Sequence, residues 1–166
     1  SHFFGNAFPD SFDIKYLDKE NNLHSAYETS WGMSTRIIGA IIMVHGDDSG
    51  LVLPPRIAPT QVMVIPIAQH KEGVLDKANE LYDRLKKHGI RVKIDDSEKS
   101  PGFKFSEQEI LGIPTRIEIG PRDIENGECV ICRRDNGEKI TVKLDEVETK
   151  LEELLEKTKV AVRFYT

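Results

Sequence analysis

The chain has 166 residues, of which 39% are hydrophobic and 31% charged, and its formal net charge is −5 at pH 7. This length suffices for one ordinary domain, or for one domain with part of another. The composition is typical of a soluble globular protein and contains no apolar run long enough to predict a membrane span. An acidic chain is a poor candidate for a sequence-independent nucleic-acid coat, although a local basic patch is still compatible with RNA recognition.

The N-terminal third predicts a hairpin followed by an apolar helix. Aromatic-containing runs at residues 12–16 and 26–31 flank the polar segment 19–22, a pattern that favours an antiparallel hairpin. Periodicity does not separate helix from strand in the apolar run 37–44. Thr35 as a cap favours a buried helix, whereas the β-branched residues of the run count against it. We therefore predict a buried helix.

A proline-rich segment then marks a boundary. Residues 50–59 contain three prolines within six positions, and such a segment continues neither a helix nor a strand. We expect an extended connector here, with one domain over residues 1–58 and a second over 59–166. The chain begins with Ser1 rather than methionine, so we expect its start to be a cut through a larger protein.

The second domain alternates predicted strands and helices, which indicates an α/β fold with a mixed five-stranded sheet and flanking helices. Gly89 supplies a helix stop, Ser106 is a candidate cap with Glu109 at its capping-box position, and Asn136-Gly137 is a turn signal. Asp145 is the candidate cap of a last amphipathic helix. The predicted strands are 61–67, 90–94, 115–119, 128–134 and 139–144, and the helices are 74–85, 106–111 and one whose apolar face is Val147, Leu151, Leu154 and Leu155.

Two cysteines, Cys129 and Cys132, form a Cys-x-x-Cys pair. Zinc needs four ligands, and no second Cys or His pair is suitably placed. The flanking residues predict a strand, on which positions three apart point to opposite faces. We therefore expect inert strand cysteines in a reducing cytosol, and no metal.

A single arginine, Arg36, stands between small polar residues and the apolar run 37–44. A cation at the edge of a buried element is either held in a structural ion pair or directed at an anion such as a nucleotide phosphate. The residue types leave both interpretations open.

Several blocks of the sequence, in order, resemble class II prolyl-tRNA synthetases of the eukaryote-like and archaeal-like type. Residues 30–48 (SWGMSTRIIGAIIMVHGDD) are similar to the third signature motif of the class II catalytic core, and residues 50–59 (GLVLPPRIAP) to its link to the anticodon-binding domain. The blocks that resemble the anticodon-binding domain are 101–105 (PGFKF), 112–116 (GIPTR), 120–123 (GPRD) and 133–139 (RRDNGEK). The implied fold is a partial antiparallel catalytic core followed by the α/β anticodon-binding domain.

The resemblance implies roles for residues near the motif. Arg36 would bind the ATP phosphates as the catalytic arginine, with Ser34 and Thr35 beside the nucleotide. An always-charged, planar guanidinium suits that role because it can stabilise charge developing at a phosphorus atom. The residues implied for the proline pocket are His2, Ser30, Trp31 and Gly32, although His2 could equally be an ordinary surface histidine.

In the second domain, the resemblance implies that Phe105, Glu109, Arg116 and Lys139 contact anticodon guanines. A carboxylate can accept from guanine N1–H and N2–H₂, an arginine can donate to O6 and N7, and an aromatic ring can stack on a base.

Structural alternatives stand beside each of these roles. Phe105 could be a core anchor, Glu109 a helix-capping carboxylate, and Arg116 with Glu118 an exposed strand pair. The pair Arg122-Asp123 is more typical of a structural turn. The hairpin cations Arg133, Arg134, Lys139 and Lys143 form a local positive group that a solvated hairpin explains equally well.

The function implied by the resemblance is proline–tRNA ligase, which uses ATP and Mg²⁺ to join proline to tRNA(Pro) in the cytoplasm. The first two class II motifs and the dimer contact are expected upstream of Ser1, so we expect the piece alone to be inactive and its parent to be a homodimer. A C-terminal zinc-binding extension after Tyr165 is expected to be missing. The alternatives are a threonine, glycine or histidine synthetase, which Trp31 argues against, and a non-catalytic tRNA-binding or regulatory relative, for which a lost Arg36 would be the sign.

Overall fold

A computed structural model describes residues 1–158. The chain divides into two compact units, Ser1–Gly39 and Ala40–Thr166. This division follows Gly39 and does not fall at the proline-rich connector. The domain boundary at 58/59 stays a prediction. Residues 159–166 of the predicted second domain lie outside the described residues. Within 1–158, no helix is both long and apolar enough to cross a membrane.

The first unit contains two small antiparallel strand pairs. The Asp18 carboxylate closes one of them, because it accepts hydrogen bonds from the backbone N–H groups of Glu20 and Asn22, each at 2.8 Å. The Asn22 bond, then a side-chain hydrogen bond with His24 and then the Glu20 bond, hold the pKa of Asp18 below its ordinary value. The elements are β1 (His2–Gly5), α1 (Ala7–Ser11), β2 (Lys15–Leu17), β3 (Leu23–Ser25) and β4 (Glu28–Ser30).

The predicted hairpin is right in its turn and wrong in its second strand. β2 pairs with β3, since the turn locked by Asp18 returns the chain at once and sets Leu17 opposite Leu23. β4, which falls in the run predicted as the second hairpin strand, pairs instead with β1, and Ser30 faces His2.

Helix α2 (Arg36–Val44) forms where the apolar run predicts a helix. None of its nine residues is buried among the described residues, so the predicted burial is wrong. Met43 is 76% exposed and Ile38 58%. Apolar composition measures the tendency of side chains to leave water, whereas burial requires covering elements, and residues 1–158 do not supply them for this helix.

The second unit is built on the mixed five-stranded sheet that the sequence predicts. β7 runs parallel to both β8 and β9, and β10 runs antiparallel to β9 and β11, in the order β11-β10-β9-β7-β8. The strands are β5 (Gly46–Asp47), β6 (Gly50–Leu51), β7 (Val62–Pro66), β8 (Val92–Ile94), β9 (Thr115–Ile119), β10 (Glu128–Arg133) and β11 (Lys139–Lys143). The helices are α3 (Val74–Lys87), α4 (Pro101–Leu111), α5 (Pro121–Asn126) and α6 (Val147–Lys157), with a 3₁₀ turn at Leu144–Glu146.

Helices α3 and α6 cover one face of this sheet and form the main core. Arg84 of α3 donates to both carboxylate oxygens of Glu148 on α6, at 2.8 and 2.9 Å, and thereby joins the two helices. The apolar face predicted for the last helix is buried as expected, although a 3₁₀ turn rather than an Asp145 side-chain cap precedes it. The buried core includes Val62, Val64, Ala78, Leu81, Leu85, Ile117, Ile119, Ile131, Val147, Leu151 and Leu154.

Helix α4 lies against the opposite face, where Phe105 packs on the small cluster of Met63, Ile65 and Ile113. The helix begins at Pro101, so the predicted start at Ser106 is wrong. A proline in the first turn costs no hydrogen bond and has its φ angle already set for a helix, which explains the earlier start. Glu109 consequently lies in the last turn of α4 and cannot be a capping-box carboxylate.

Candidate functional site

The four residues predicted to contact guanines meet on the sheet face beside α4. The strand register pairs Cys132 of β10 with Arg116 of β9 and with Lys139 of β11, so these three residues form a row across the sheet. Phe105 and Glu109 lie one helical turn apart on α4 and therefore share a face of that helix. The register and the helix together place the aromatic ring, the carboxylate and the two cations at one location.

Arg116 is the centre of the group. Its Nη1 donates to Oε1 of Glu109 at 2.9 Å, and its Nε donates to Oε1 of Glu118 at 2.9 Å. The guanidinium carbon lies 4.5 Å from the centroid of the Phe105 ring, within the range of a cation–π contact. A hydrogen-bonded guanidinium that also rests on an aromatic ring has little rotamer freedom, so Arg116 is held in one orientation.

Glu118 completes the group, and the sequence did not identify it as a candidate site residue. Its Oε2 accepts from Nζ of Lys139 at 3.1 Å, while its Oε1 accepts from Arg116. The Lys139 Nζ also lies 5.7 Å from the centroid of the Phe105 ring. The available signal was a carboxylate two positions from Arg116, hence on the same strand face. We call Phe105, Glu109, Arg116, Glu118 and Lys139 the Arg116 cluster.

The Arg116 cluster retains capacity for a ligand. Among the described residues, Oε2 of Glu109 and Nη2 of Arg116 have no hydrogen-bond partner. The Glu109 side chain is 41% exposed and that of Glu118 only 9%, so Glu109 is the outer carboxylate and Glu118 the inner one. Glu109 thus keeps one carboxylate oxygen as an acceptor, and Arg116 one nitrogen as a donor, that the contacts within residues 1–158 do not use.

Electrostatics keep the centre of the cluster charged. Burial acts to lower the pKa of Arg116, but the hydrogen bonds from Arg116 to Glu109 and Glu118 outweigh it and raise that pKa above its ordinary value. The two cations and two carboxylates cancel formally, so the cluster offers directed donors and acceptors rather than an excess of positive charge.

The structural alternatives have different outcomes. Phe105 is indeed half-buried against the small core cluster, so it anchors α4 while it carries Arg116. The exposed strand pair is wrong, because the Arg116 and Glu118 side chains are 12% and 9% exposed. The turn predicted at Arg122-Asp123 is the first turn of α5, where Asp123 accepts from Gly120 N–H at 2.8 Å.

The hairpin cations do not form a free basic patch. Arg133 pairs with Asp135 at 2.6 Å, Arg134 pairs with Asp47 at 2.6 Å, and Lys139 pairs with Glu118. Three of the four cations are therefore neutralised by nearby carboxylates. Their positive charge alone is no argument for nucleic-acid binding.

The two cysteines lie on opposite sides of the sheet, as their spacing predicts. Cys129 belongs to the main core, and burial raises the pKa of its thiol to about 12. Cys132 lies behind the Arg116 cluster, where burial also raises the thiol pKa although Arg116 opposes the shift. Both are free and buried. Residues 1–158 contain no group of three His, Cys, Asp or Glu side chains arranged to hold a metal ion.

The residues implied for proline and ATP lie in the first unit. His2 faces Ser30 across the β1–β4 pair, and the imidazole stacks on Phe4 with 5.7 Å between ring centroids. Trp31 is 85% exposed. Arg36 begins α2, is exposed, and forms no ion pair with any residue in the range 1–158. Of the two interpretations of Arg36, the described residues do not support the structural ion pair.

The profile of the anticodon-binding-domain family, "Anticodon binding domain", matches residues 61–154, which hold the five-stranded sheet and the Arg116 cluster. The match covers more than half of the chain, which therefore belongs to the anticodon-binding-domain family.

The chain is also similar in sequence to individual proline–tRNA ligases. Over 156 residues the chain is 67% identical to the proline–tRNA ligase of Agathobacter rectalis and 62% identical to that of Lachnoclostridium phytofermentans. Each alignment covers 94% of this chain and 32% of the relative, so the chain spans about a third of the relatives' length. A solved prolyl-tRNA synthetase from Cryptosporidium parvum, complexed with L-proline and AMP, superposes with a TM-score of 0.81 at 43% identity, covering 95% of this chain and 35% of that one. The resemblance to prolyl-tRNA synthetases is thus confirmed, and the eukaryote-like or archaeal-like subtype stays a prediction.

Proposed function

We propose that this chain is the tRNA-reading part of a proline–tRNA ligase, and that the Arg116 cluster recognises the guanines of the proline anticodon. The observation that carries the proposal is the free Glu109 oxygen beside a fixed Arg116 guanidinium, both next to the Phe105 ring. Guanine is the base whose edges present N1–H and N2–H₂ donors together with O6 and N7 acceptors.

Each residue of the cluster has a distinct task in this proposal. Glu109 accepts from the donor edge of a guanine, and Arg116 donates to an acceptor edge. The Phe105 ring and the guanidinium plane provide a surface on which an unstacked base can lie, since single-stranded bases are recognised by stacking as well as by hydrogen bonds. Lys139, whose side chain is 52% exposed, would donate to a base or a phosphate.

A binding experiment on this chain tests the proposal. The transcript of tRNA(Pro) and a matched transcript with its anticodon guanines replaced by adenines are titrated with the wild-type chain and with Glu109→Gln. We expect the wild type to prefer the guanine transcript by about tenfold or more, because a hydrogen-bonded base edge is typically worth 1–3 kcal/mol. Glu109→Gln should lose most of that preference.

Glu107→Gln is the matched control. It lies on the same helix, and its carboxylate pairs with Lys99 at 2.7 Å outside the cluster, so it removes the same charge without touching the proposed site. Equal affinity of the wild-type chain for the two transcripts would overturn the proposal.

For the whole ligase we propose that the carboxylate of proline attacks the α-phosphorus of ATP and releases pyrophosphate, and that the prolyl group then passes to the 3′ end of tRNA(Pro) with release of AMP. Arg36 would stabilise the charge on the phosphates, with Ser34 and Thr35 beside it and Mg²⁺ as the counterion. The exposed Arg36 at the start of α2 and the pairing of His2 with Ser30 support these positions. The residues proposed to line the proline pocket are His2, Ser30, Trp31 and Gly32.

The proposed ligase acts as a homodimer in the cytoplasm, where tRNA, ATP and free proline meet. A non-catalytic tRNA-binding relative is the second candidate, because an anticodon-binding domain can act without activating an amino acid. The presence of Arg36 and of the Ser30-Trp31-Gly32 block favours the ligase.

A further inference from the structure

A second arginine, Arg134, also contacts Glu109, but through the backbone carbonyl rather than the carboxylate. It follows the end of β10, and its side chain is 8% exposed. Its Nη1 and Nη2 donate to Oδ2 and Oδ1 of Asp47 at 2.8 and 2.6 Å, and its Nε donates to the backbone carbonyl of Glu109 at 3.0 Å. One guanidinium therefore connects the β5–β6 hairpin to the last turn of α4.

The contact with the Glu109 carbonyl stabilises the C-terminal end of α4. Carbonyl groups in the last turn of a helix have no partner within the helix, and that end carries partial negative charge. The Glu109 carbonyl accepts from Gly112 N–H at 3.1 Å and from Arg134, so a buried cation stabilises this helix end. The bidentate pair with Asp47 fixes the plane of the cation, which a single contact would leave free to rotate.

The β5–β6 hairpin also packs directly against the last turn of α4. A Cβ atom added at Gly50 would lie 2.5 Å from Cα of Ile110 and 2.9 Å from the carbonyl oxygen of Glu109. One added at Gly112 would lie 2.4 Å from Cβ of Leu51. Both glycines also have positive φ angles, so a side chain at either position is excluded by conformation as well as by space. The last turn of α4 is thus held at a fixed distance from the hairpin.

From this geometry we propose that Asp47 is a positioning residue for anticodon recognition, which acts through Arg134 to set where the Glu109 carboxylate lies. This positioning role rests on the proposed function, in which the Glu109 carboxylate accepts hydrogen bonds from a guanine. The side chain of Glu109 and its carbonyl are held by two different arginines, Arg116 and Arg134. Loosening the backbone contact moves the acceptor relative to the fixed Arg116 guanidinium, and hydrogen-bond strength falls steeply with such displacement.

The test compares Asp47→Asn with Asp48→Asn in the 166-residue chain, using the tRNA(Pro) transcript and its guanine-to-adenine counterpart. Asparagine keeps the shape of aspartate but loses the charge and one of the two acceptors for Arg134. We expect Asp47→Asn to lower the preference for the guanine transcript by about fivefold to tenfold, within the range of a lost charge-assisted pair. Asp48 is adjacent and exposed and pairs with no residue in the range 1–158, so Asp48→Asn should match the wild type.

A double-mutant cycle separates positioning from loss of stability. If Asp47 acts through the Glu109 carboxylate, Asp47→Asn should have almost no further effect on the preference in a Glu109→Gln background, because coupled residues are non-additive. Full additivity of the two substitutions would overturn the proposal. If Asp47→Asn does not fold, Asp47→Glu replaces it in the same cycle, and folding is checked by circular dichroism before each titration.

The outcomes distinguish this inference from the proposed function. If the wild type shows no preference for guanine, the proposed function fails. If Glu109→Gln reduces the preference but Asp47→Asn behaves like Asp48→Asn, only the positioning role of Asp47 fails.

Discussion

The Nε atom of Arg116 donates to Oε1 of Glu118 across 2.9 Å, although only one residue separates the two on β9. Residues two apart on a strand project from the same face, which makes the contact possible. Glu118 accepts from Lys139 with its other oxygen. The inner carboxylate therefore orients both cations that are proposed to meet the anticodon.

Replacing Glu118 with Gln should disorder both cations while keeping the side-chain shape. We expect the chain's preference for the tRNA(Pro) transcript over its guanine-to-adenine counterpart to fall about fivefold to tenfold, and the free energy of unfolding to fall by about 1–3 kcal/mol. Transcript titration and urea unfolding measure the two effects. Glu98→Gln is the control, because Glu98 is exposed and has no partner in residues 1–158. A Glu118→Gln chain indistinguishable from the control would show that Arg116 is oriented by other contacts.

Leu151 tests the main core. Its side chain on α6 is fully buried, so Leu151→Ala removes buried apolar area and leaves a cavity. We expect the free energy of unfolding to fall by about 2–5 kcal/mol. Leu111→Ala, at a position 52% exposed, should change it by no more than about 0.5 kcal/mol. Similar values for the two variants in urea titrations would contradict the packing of α6 on the sheet.

Asp47 should make stability depend on pH. Hydrogen bonds from Arg134 are the largest cause that lowers the pKa of Asp47, from 3.8 to about 2. A folded-state pKa below the unfolded value means that the ionised carboxylate stabilises the fold above about pH 4, and that this contribution is lost as the pH falls from about 4 to 2. The stability difference between wild type and Asp47→Asn should therefore be constant from pH 5 to 7 and shrink toward pH 2. Urea unfolding at each pH measures it, and a difference that grows on acidification would contradict the pair.

The cysteines should be unreactive in the folded chain. The thiolate is the reactive form, and burial raises the thiol pKa of both Cys129 and Cys132. Iodoacetamide at pH 8 should add no mass to the native chain in the time in which it labels both cysteines of the urea-unfolded chain. Rapid labelling of native Cys129 would show that the main core opens locally.

Arg36 is tested in a chimera in which this chain replaces the matching third of the Agathobacter rectalis ligase. Arg36→Ala should reduce proline-dependent ATP–pyrophosphate exchange by at least about a hundredfold, as expected for a contact to transition-state charge. Arg122→Ala, which removes an exposed arginine from α5, is the control. If the Arg36→Ala chimera exchanged pyrophosphate as fast as the unsubstituted chimera, Arg36 would have no catalytic role.

Local patterns were sufficient for most of the secondary structure of the second unit. β9 and the buried face of α6 follow directly from alternation and helical spacing, which depend only on near neighbours. Ser106 shows the limit of such reasoning. A serine followed by glutamate three positions later is a cap only where a helix begins, and Pro101 had already begun it.

The sequence by itself therefore determined the order of most strands and helices in the second unit, the family resemblance and the residue types of the proposed site. Only the tertiary structure decided that Glu118 is the inner carboxylate, that Arg134 is neutralised, and that Asp47 reaches Glu109 through Arg134. These contacts join residues up to 87 positions apart. They depend on strand register and on the distance between a helix and a hairpin, which no local pattern encodes, because periodicity specifies which face a side chain occupies but not which distant side chain it meets.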